Sequence, residues 1–326
     1  MQDSHGRTID YIRISVTDQC NLRCVYCMPC ENTGLSACQL TIAELETLCG
    51  CFAELGIQNI KITGGEPLMR RDVAEIIFRI KKIPGIRSVT LTTNGVLLAE
   101  KIKKLREAGL DAVNISMDSL SETEYEEISQ RNMLGKTLEG LEAALACPGL
   151  SVKINCVPIK GMNDSQIVPI AALARDRNLH VRFIEMMPIG YGKNFAFQGE
   201  EEIKRRLEKE LGIHLVPYEG RLGHGPSHYY TAKGFQGKIG FISAVTHKFC
   251  DDCNRVRLTS DGFLKTCLQY NIGCDLKALL EKKAPREQLL TAIRESIYNK
   301  PLCHHFEQPE KDRQTEEQRG MSQIGG

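Results

Sequence analysis

Three cysteines near the amino terminus are spaced so that their thiolates could bind one metal centre. Cys20, Cys24 and Cys27 lie in TDQCNLRCVYC, directly after a predicted strand at 11–16. Three thiolates on a short loop can bind three irons of a 4Fe–4S cube and leave the fourth iron open to a substrate or cofactor. Zinc is the alternative, because structural zinc takes four protein ligands and Cys30 could supply the fourth.

A second group of cysteines, near the carboxyl end of the chain, could also bind a metal centre. Cys250, Cys253 and Cys267 lie in FCDDCNRVRLTSDGFLKTCL, and three thiolates again predict a cluster with one open iron. A zinc site with Cys274 or His247 as the fourth ligand stays open, since the spacing alone does not separate the two metals.

Two arginines beside the second group indicate a phosphate ligand. Arg255 and Arg257 are two residues apart, so on an extended chain their guanidinium groups point the same way, and such a pair suits a polyphosphate. Two solvated surface charges are the alternative. Cys303, in PLCHHF, is interpreted as having no ligand role, because no other residue pattern in the sequence supports a site there.

Composition narrows the classes of protein. The chain has 326 residues, 14 cysteines and no tryptophan, and 42 Lys and Arg against 41 Asp and Glu give a net charge of +1. This balance gives no general attraction to nucleic acid or to an anionic membrane. No apolar run approaches the ~20 residues of a membrane span, and the first residues do not form a secretory signal. We therefore expect a cytoplasmic protein with reduced thiols rather than a disulfide framework.

Strand-like and helix-like patterns alternate over the first 190 residues. The alternation predicts an α/β fold with a parallel sheet and a site at the carboxyl ends of its strands. Six strands favour a six-stranded partial (βα)6 barrel or an open sheet, because a closed eight-stranded barrel needs about 250 residues. The predicted strands are 11–16, 59–63, 88–92, 112–117, 152–157 and 180–186. The predicted helices are 41–56, 71–83, 99–109, 135–146, 166–178, 201–212, 275–283 and 286–298.

The organisation of the chain changes near residue 190. A polar segment follows, and residues 218–245 have the pattern of turns and short strands, rich in glycine. We predict a first domain at 1–190 and, at 191–326, a carboxyl-terminal region that holds the second cysteine group and ends in a polar tail.

A glycine-rich segment follows the second predicted strand. In TGGEP, at 63–67, the glycines let the backbone approach a ligand closely, although an ordinary βα turn has the same pattern. Together with the C-x3-C-x2-C spacing, this segment resembles the signature of radical S-adenosylmethionine (SAM) enzymes. The whole chain resembles the GTP 3′,8-cyclase (MoaA) family of molybdenum cofactor biosynthesis, through IRISVTDQCNLRCVYC, KITGGEPLMRRD, LTTNG, NISMDSL, VKINCV, RFIEMM, CNRVRLTSDGFLKTCL and MSQIGG.

The resemblance implies roles for particular residues. A 4Fe–4S cluster that binds SAM would be held by the first trio, Cys20, Cys24 and Cys27. A second 4Fe–4S cluster, whose open iron binds guanine, would be held by the second trio, Cys250, Cys253 and Cys267. The SAM site would include Tyr26, Gly65, Ser116 and Met187. GTP would contact Arg13, Lys61, Thr92, Lys153, Arg255, Val256 and Arg257, and the tail would bring Gly325 and Gly326 into the active site.

One of these positions departs from the family pattern. Position 61 is Lys, where many relatives of this family carry Arg. Lysine keeps the positive charge but cannot make the two parallel hydrogen bonds of a guanidinium, so its contact with GTP would be weaker or single.

The resemblance also implies a reaction and partners. A 5′-deoxyadenosyl radical would abstract hydrogen from C3′ of GTP, and cyclisation would give (8S)-3′,8-cyclo-7,8-dihydroguanosine 5′-triphosphate, in the first step of molybdenum cofactor biosynthesis. Implied partners are a reductant protein such as flavodoxin or ferredoxin and the downstream cyclic pyranopterin monophosphate synthase, with the chain a monomer or homodimer. A radical SAM enzyme that acts on a peptide, and a non-catalytic zinc or iron–sulfur protein, are the competing hypotheses. We expect the two trios to face one cavity.

Overall fold

Six parallel strands, paired in chain order, form the centre of the fold. The structure is a computed structural model that describes residues 1–28, 39–307, 317 and 319–325. The six strands are β1 (Tyr11–Ser15), β2 (Asn59–Thr63), β3 (Ser88–Thr93), β4 (Ala112–Ser116), β5 (Ser151–Cys156) and β6 (His180–Ile184). Each of the predicted strands is confirmed, with ends that agree within two residues.

Helices connect these strands and follow them along the chain. They are α1 (Ile42–Glu54), α2 (Val73–Lys81), α3 (Leu98–Glu107), α4 (Glu122–Ser129), α5 (Leu134–Leu145), α6 (Ile167–Ala172), α7 (Glu200–Leu211), α8 (Leu276–Glu281), α9 (Arg286–Tyr298) and α10 (Met321–Ile324). The start of α1 is fixed by a capping box, in which Thr41 Oγ1 accepts a hydrogen bond from the Glu44 amide at 3.2 Å. The sequence did not predict α4 or α10.

The helix predicted over 166–178 is much shorter in the structure, because α6 ends at Ala172. Beyond it, the carbonyls of Ala174 and Arg175 accept hydrogen bonds from the amides of Gly237 and Gln236, both at 2.9 Å. A Cβ at position 237 would lie 1.7 Å from the Leu179 carbonyl oxygen, so only glycine fits there. A distant segment therefore takes the carbonyls that a longer helix would use.

The sheet is wider than the predicted six strands. Across the described ranges it has twelve strands, because the chain after residue 190 adds three strands to each edge. Next to β6 lie β9 (Ile239–Ile242), β8 (His228–Thr231) and β7 (Val216–Tyr218). Next to β1 lie β10 (Arg255–Leu258), β11 (Phe263–Lys265) and β12 (Gly273–Asp275). This pairing covers edges of the central strands that would otherwise be exposed.

The two faces of the central strands differ in character. Ile12 and Ile14 of β1 and Ile60 and Ile62 of β2 belong to the main apolar core, whereas Arg13 faces a large cavity on the other side. Side chains alternate between the faces of a strand, so a single charged residue in an apolar run lies on the cavity side. Within the described part of the chain, no helix has the length and apolar character to cross a membrane.

A buried ion pair ties the tail of the chain to the sheet. Lys265, on β11, pairs through Nζ with a carboxylate oxygen of Glu317, and the two side chains are 0% and 2% exposed. The same ammonium donates to the Tyr270 carbonyl oxygen at 2.6 Å. The pair fixes residue 317 on the sheet, a few residues before α10.

Removing one partner of this pair should destabilise the protein. We expect Glu317→Ala to lower the free energy of unfolding by about 3–5 kcal/mol, because it leaves the Lys265 ammonium buried without a counter-charge. Chemical denaturation of both proteins measures the change. The control is Glu139→Ala, which removes a largely exposed pair with Lys136 and should leave the midpoint unchanged. Equal changes in the free energy of unfolding for Glu317→Ala and Glu139→Ala would contradict a stabilising role of the buried pair.

Candidate active site

A cavity of about 560 Å³ runs along one side of the central strands, from first residues such as Tyr11 and Ser88 to the loops beyond their carboxyl ends. Its volume falls in the range of small-molecule sites. Every central strand contributes to its walls, and so do β9 and β10. The loops at the carboxyl ends, where the alternation of strands and helices predicts a site, line one end of it.

The first trio lines one part of this cavity. Cys20, Cys24 and Cys27 are half-buried free thiols. Burial raises the pKa of Cys20 to about 11 and that of Cys27 to about 12. The pKa of Cys24 is raised well above its usual value by burial and then by the nearby Cys27. Three sulfur donors whose ionisation is disfavoured chiefly by burial are suited to a strongly cationic centre, which stabilises the thiolates.

The first trio supplies three free thiols from one short loop, and such a donor set is suited to a 4Fe–4S cluster. Within the described ranges, no three Cys, His, Asp or Glu side chains come close enough together to hold a single metal ion. Cys30, the fourth ligand of the zinc alternative, lies outside the described residues. The twelve cysteines in the described part of the chain are all free thiols.

Helix α4 and the end of β4 hold the first cysteine loop in place. The amides of Arg23 and Val25 donate to the carbonyls of Ser129 and Ile128, at 2.9 and 3.0 Å. The Tyr26 hydroxyl donates to Asp118 Oδ2 at 2.6 Å, and burial raises the pKa of Asp118 to about 6. Tyr26 lines the cavity, as predicted for a SAM-site residue, and the helix that the sequence did not predict positions the loop.

The TGGEP segment packs directly against the chain that leads into Cys20. The Gly65 amide donates to the Thr17 carbonyl at 2.8 Å, and the Glu66 amide donates to the Gln19 carbonyl at 2.7 Å. A Cβ on Gly65 would lie 2.4 Å from the Gln19 carbonyl oxygen, so glycine is required for this contact. Gly65 also lines the cavity, and its two neighbours in the predicted SAM site, Ser116 and Met187, line it too.

Glu66 is a site residue that the sequence analysis did not identify. Its carboxylate is buried and accepts hydrogen bonds from Thr93 Oγ1 at 2.7 Å, from the Asn94 amide at 2.6 Å and from the Leu68 amide at 2.9 Å. Burial raises the pKa of Glu66 to about 7. The carboxylate joins the ends of β2 and β3 behind the first trio.

Positive side chains line the opposite part of the cavity. Those predicted from the sequence and found there are Arg13, Lys61, Lys153, Arg255 and Arg257, together with Thr92. The structure adds Arg182 and Arg221. Arg182 had the same signal as Arg13 and Lys153, a single charge within an apolar strand pattern (HVRFIEM), so alternation could have identified it.

Three of these cations lie side by side. The strand register places Arg257 of β10 next to Arg13 of β1, and Arg13 next to Lys61 of β2. Burial lowers the pKa of Lys61 well below its usual value, and the nearby Arg182, Arg13 and Lys153 lower it further. Such a cluster favours a ligand with several negative charges.

The hydrogen-bond partners of these cations include neutral groups. Arg182 donates to Asn155 Oδ1 from Nε at 2.9 Å and from Nη2 at 2.5 Å. Lys153 Nζ donates to Ser151 Oγ at 3.4 Å. Arg257 donates to the carbonyl of Gly325, so the tail reaches the cavity wall. Gly326, the other predicted tail residue, lies outside the described residues.

The second trio lies in a separate, smaller cavity. Cys250, Cys253 and Cys267 line a space of about 90 Å³. This cavity and the large one have four wall residues in common, Met187, Ile242, Arg255 and Arg257. The two trios thus line adjoining cavities that meet at these four residues.

The structure also locates the other residues predicted for this region. Val256, expected to contact GTP, is buried, is in register with Ile12 and lines the small cavity but not the large one. Alternation on β10 turns its side chain away from those of Arg255 and Arg257. Neither Cys274 nor His247, the predicted fourth ligands of a zinc site, lines the small cavity, whereas Cys303 does.

The fold and the site define a radical SAM protein. Residues 14–174 match the model of the Radical SAM superfamily, and residues 179–306 match that of Molybdenum Cofactor Synthesis C. SuiB of Streptococcus suis has the same fold, with a TM-score of 0.62 at 15% identity, over 91% of this chain and 68% of SuiB. Its structure bound to S-adenosylmethionine gives a TM-score of 0.57 at 16% identity, over 80% of this chain and 60% of SuiB.

Relatives that match this chain over its full length show which family within the radical SAM proteins it belongs to. The GTP 3′,8-cyclase of Clostridium perfringens (strain 13 / Type A) is 42% identical over 328 residues, which cover 100% of both chains. That of Pelotomaculum thermopropionicum is 43% identical over 333 residues, again 100% of both. The chain therefore belongs to the GTP 3′,8-cyclase family, as the motifs predicted.

The charge of Lys153 should make anion binding depend on pH. Burial and the nearby Arg182 lower its pKa to about 8, so the side chain is charged below that pH and neutral above it. A bound polyphosphate favours the charged form. We therefore expect the Kd of inorganic tripolyphosphate to rise between pH 7 and pH 9, as measured by isothermal titration calorimetry.

The matched variant is Lys153→Arg, which keeps its charge over this range. Its Kd should change less steeply with pH than that of the wild-type protein. The same slope in both proteins would show that Lys153 does not contribute.

Proposed function

We infer that this chain cyclises GTP to (8S)-3′,8-cyclo-7,8-dihydroguanosine 5′-triphosphate, the first step of molybdenum cofactor biosynthesis. The observation that carries this conclusion is full-length similarity, at 42–43% identity, to proteins named GTP 3′,8-cyclase. The large cavity supports it, because a trio of thiols and a group of seven Lys and Arg side chains line the same space. The first is suited to an iron–sulfur cluster and the second to a triphosphate.

Membership of the radical SAM superfamily implies SAM and one 4Fe–4S cluster. Cys20, Cys24 and Cys27 would hold that cluster, since they are three free thiols on one short loop in the cavity wall. The residues that would line the SAM site are Tyr26, Gly65, Ser116 and Met187. When bound, these groups supply the 5′-deoxyadenosyl radical that removes hydrogen from C3′ of GTP before C3′ and C8 join.

The chain's own residues bind and orient the substrate. The adjacent cations Arg257, Arg13 and Lys61, with Lys153 and Arg182, would neutralise charge on the triphosphate. Arg255 and Arg257 belong to the walls of both cavities. The two arginines would therefore place the nucleotide where the two cavities meet. Gly325 would lie beside the substrate, because its carbonyl already accepts a hydrogen bond from Arg257.

The second trio would hold a second 4Fe–4S cluster that binds the guanine. Support comes from the small cavity, which three free thiols line next to the substrate arginines. Lys300 is buried beside this cavity and donates to the Thr266 carbonyl, next to Cys267. Burial raises the pKa of Cys253, but the nearby Lys300 and Arg255 more than offset this effect. The pKa of Cys253 is therefore lowered to about 7. A cationic surrounding of this kind suits thiolate ligands.

The remaining proposals concern architecture and partners. The six parallel strands would form the partial (βα)6 barrel of radical SAM type, with residues 1–190 as the barrel domain and 191–326 as the region that completes the site. A flavodoxin or ferredoxin would supply electrons, and a cyclic pyranopterin monophosphate synthase would take the product. The protein would work in the cytoplasm as a monomer or homodimer.

The reaction is tested by anaerobic incubation of the reconstituted protein with SAM, GTP and dithionite. Mass spectrometry should detect 5′-deoxyadenosine and the cyclised nucleotide. Substituting any one of the first trio by Ala should abolish 5′-deoxyadenosine, because the cluster loses a ligand. Substitutions in the second trio should keep SAM binding and lose cyclisation. Full SAM cleavage by Cys24→Ala would overturn the assignment of the first trio.

The cationic wall is tested by GTP binding. Arg182→Ala and Arg257→Ala should each weaken GTP on the order of tenfold or more, because each removes a charged donor from a buried site. Equilibrium dialysis gives the Kd of each variant. Arg205→Ala, on the exposed face of α7, is the control and should bind GTP like wild type. Unchanged affinity in both cavity variants would place the triphosphate elsewhere.

A further inference from the structure

The small cavity is lined by a fourth cysteine. Cys303 stands in its wall with Cys250, Cys253 and Cys267. Burial raises the pKa of Cys250, and the nearby Cys253, Cys267 and Cys303 each raise it further, so all four sulfurs lie within electrostatic range. This position could not be predicted from the spacing of the cysteines, because α8 and α9 separate Cys303 from Cys267 in the chain.

Arg7 fixes the segment before Cys303 against the loop that carries Cys250. Its Nη1 donates to the Cys250 carbonyl at 2.8 Å and to the Leu302 carbonyl at 2.7 Å. Its Nη2 donates to the Pro301 carbonyl at 2.7 Å, and its Nε pairs with the buried Asp3 at 2.6 Å. One nitrogen of a buried guanidinium thus donates to the carbonyl of Cys250 and to that of Leu302, the residue before Cys303.

His305 and Tyr270 hold Cys303 in the wall of the small cavity. The Nε2 of His305 lies 3.5 Å from Cys303 Sγ, and its Nδ1 lies 2.9 Å from the Tyr270 hydroxyl. The Tyr270 hydroxyl also donates to the Cys303 carbonyl at 3.4 Å. The backbone and the sulfur of Cys303 therefore each have a polar contact that fixes their position.

A second group in this wall has unsatisfied hydrogen-bonding capacity. His304 is 6% exposed and lines the cavity, and neither of its ring nitrogens has a hydrogen-bond partner among the described residues. A buried imidazole without partners is costly and is found where a ligand occupies the adjoining space. This observation, independent of the cysteine, indicates that the wall formed by residues 303 and 304 faces a bound group.

We propose that Cys303 is a displaceable fourth ligand of the second cluster. In the absence of substrate its thiolate would bind the iron that the second trio leaves open, with the thiol proton released to solvent. When the guanine binds this iron, the Cys303 sulfur would leave it and take up a proton from solvent. The inference rests on the proposed second cluster. It adds a competition between the Cys303 thiolate and the substrate for one iron. The bound thiolate would protect this iron while no substrate is present.

Such a competition has a signature that a structural role lacks. A ligand that must leave before substrate binds reduces the apparent affinity by the fraction of sites it occupies. Removing Cys303 should therefore tighten GTP binding, whereas damage to a cavity wall would weaken it. We expect Cys303→Ala to lower the Kd of GTP about three- to tenfold in protein with iron–sulfur clusters. In metal-free protein the two Kd values should be equal.

The experiment uses the full chain in two forms. Equilibrium dialysis with the fully loaded protein gives the Kd of GTP for wild type, Cys303→Ala and the control Cys274→Ala. Cys274 is half-buried on β12, with its sulfur 3.7 Å from the Ala292 carbonyl, outside the cavity. For spectroscopy, the first trio is replaced by Ala, so that the protein holds the second cluster alone. Iron analysis and electron paramagnetic resonance (EPR) of the dithionite-reduced protein then follow, with and without GTP.

The outcomes separate the two levels of the proposal. Three results together support the inference. The protein without the first trio holds about four irons per chain. The EPR spectra with and without Cys303→Ala differ only before GTP is added, and Cys303→Ala binds GTP more tightly than wild type. Four irons with identical substrate-free spectra, or unchanged or weaker GTP binding, overturn the role of Cys303 and leave the proposed function intact. No iron in this protein overturns the second cluster itself, and the inference with it.

Discussion

The site depends on positive charges held next to one another in the interior. Arg257, Arg13 and Lys61 occupy one cross-strand row, and neighbouring strands are only about 4.8 Å apart. In a medium of low polarity such a row is unfavourable by itself. The hydrogen-bonded ladders of the sheet and the apolar core beneath it hold the charges in place. The cavity is thus preorganised for a polyanion, and binding relieves a repulsion that folding has built in.

The same pairing of β10 with β1 places the two trios of cysteines at opposite ends of these strands. Cys250 and Cys253 come just before β10, whereas the loop of Cys20 follows β1. Because the two strands are parallel, the second trio lies at their amino ends and the first trio at the carboxyl end of β1, with Arg13 and Arg257 between them. Residues after 190 therefore complete the walls of a site that the central strands begin, and Arg7 and Lys300 secure the second trio from behind.

The local parts of this arrangement were predictable. The six strands, most helices, the capping box at Thr41 and the lining role of Arg13, Lys61, Lys153, Arg255 and Arg257 follow from periodicity and motif. Arg182 carried the same signal and was not identified. Helix α4 was missed, yet it holds the loop of the first trio. Cys303 was judged to have no ligand role, because no other residue pattern supported a site there. Its position near Cys250 depends on Arg7, which is far from both in sequence.

The sequence by itself determined the chemistry: the spacing of three thiols on one loop, the glycines at 64 and 65, and the charges placed singly within apolar strands. These are features of neighbouring residues, which the covalent chain and strand alternation fix. The tertiary structure decided which distant segments meet. Strand pairing joined β10 to β1 and β9 to β6, separated the two cavities and turned Val256 away from the larger one. Such pairings depend on the packing of the whole core, so no short stretch of the sequence encodes them.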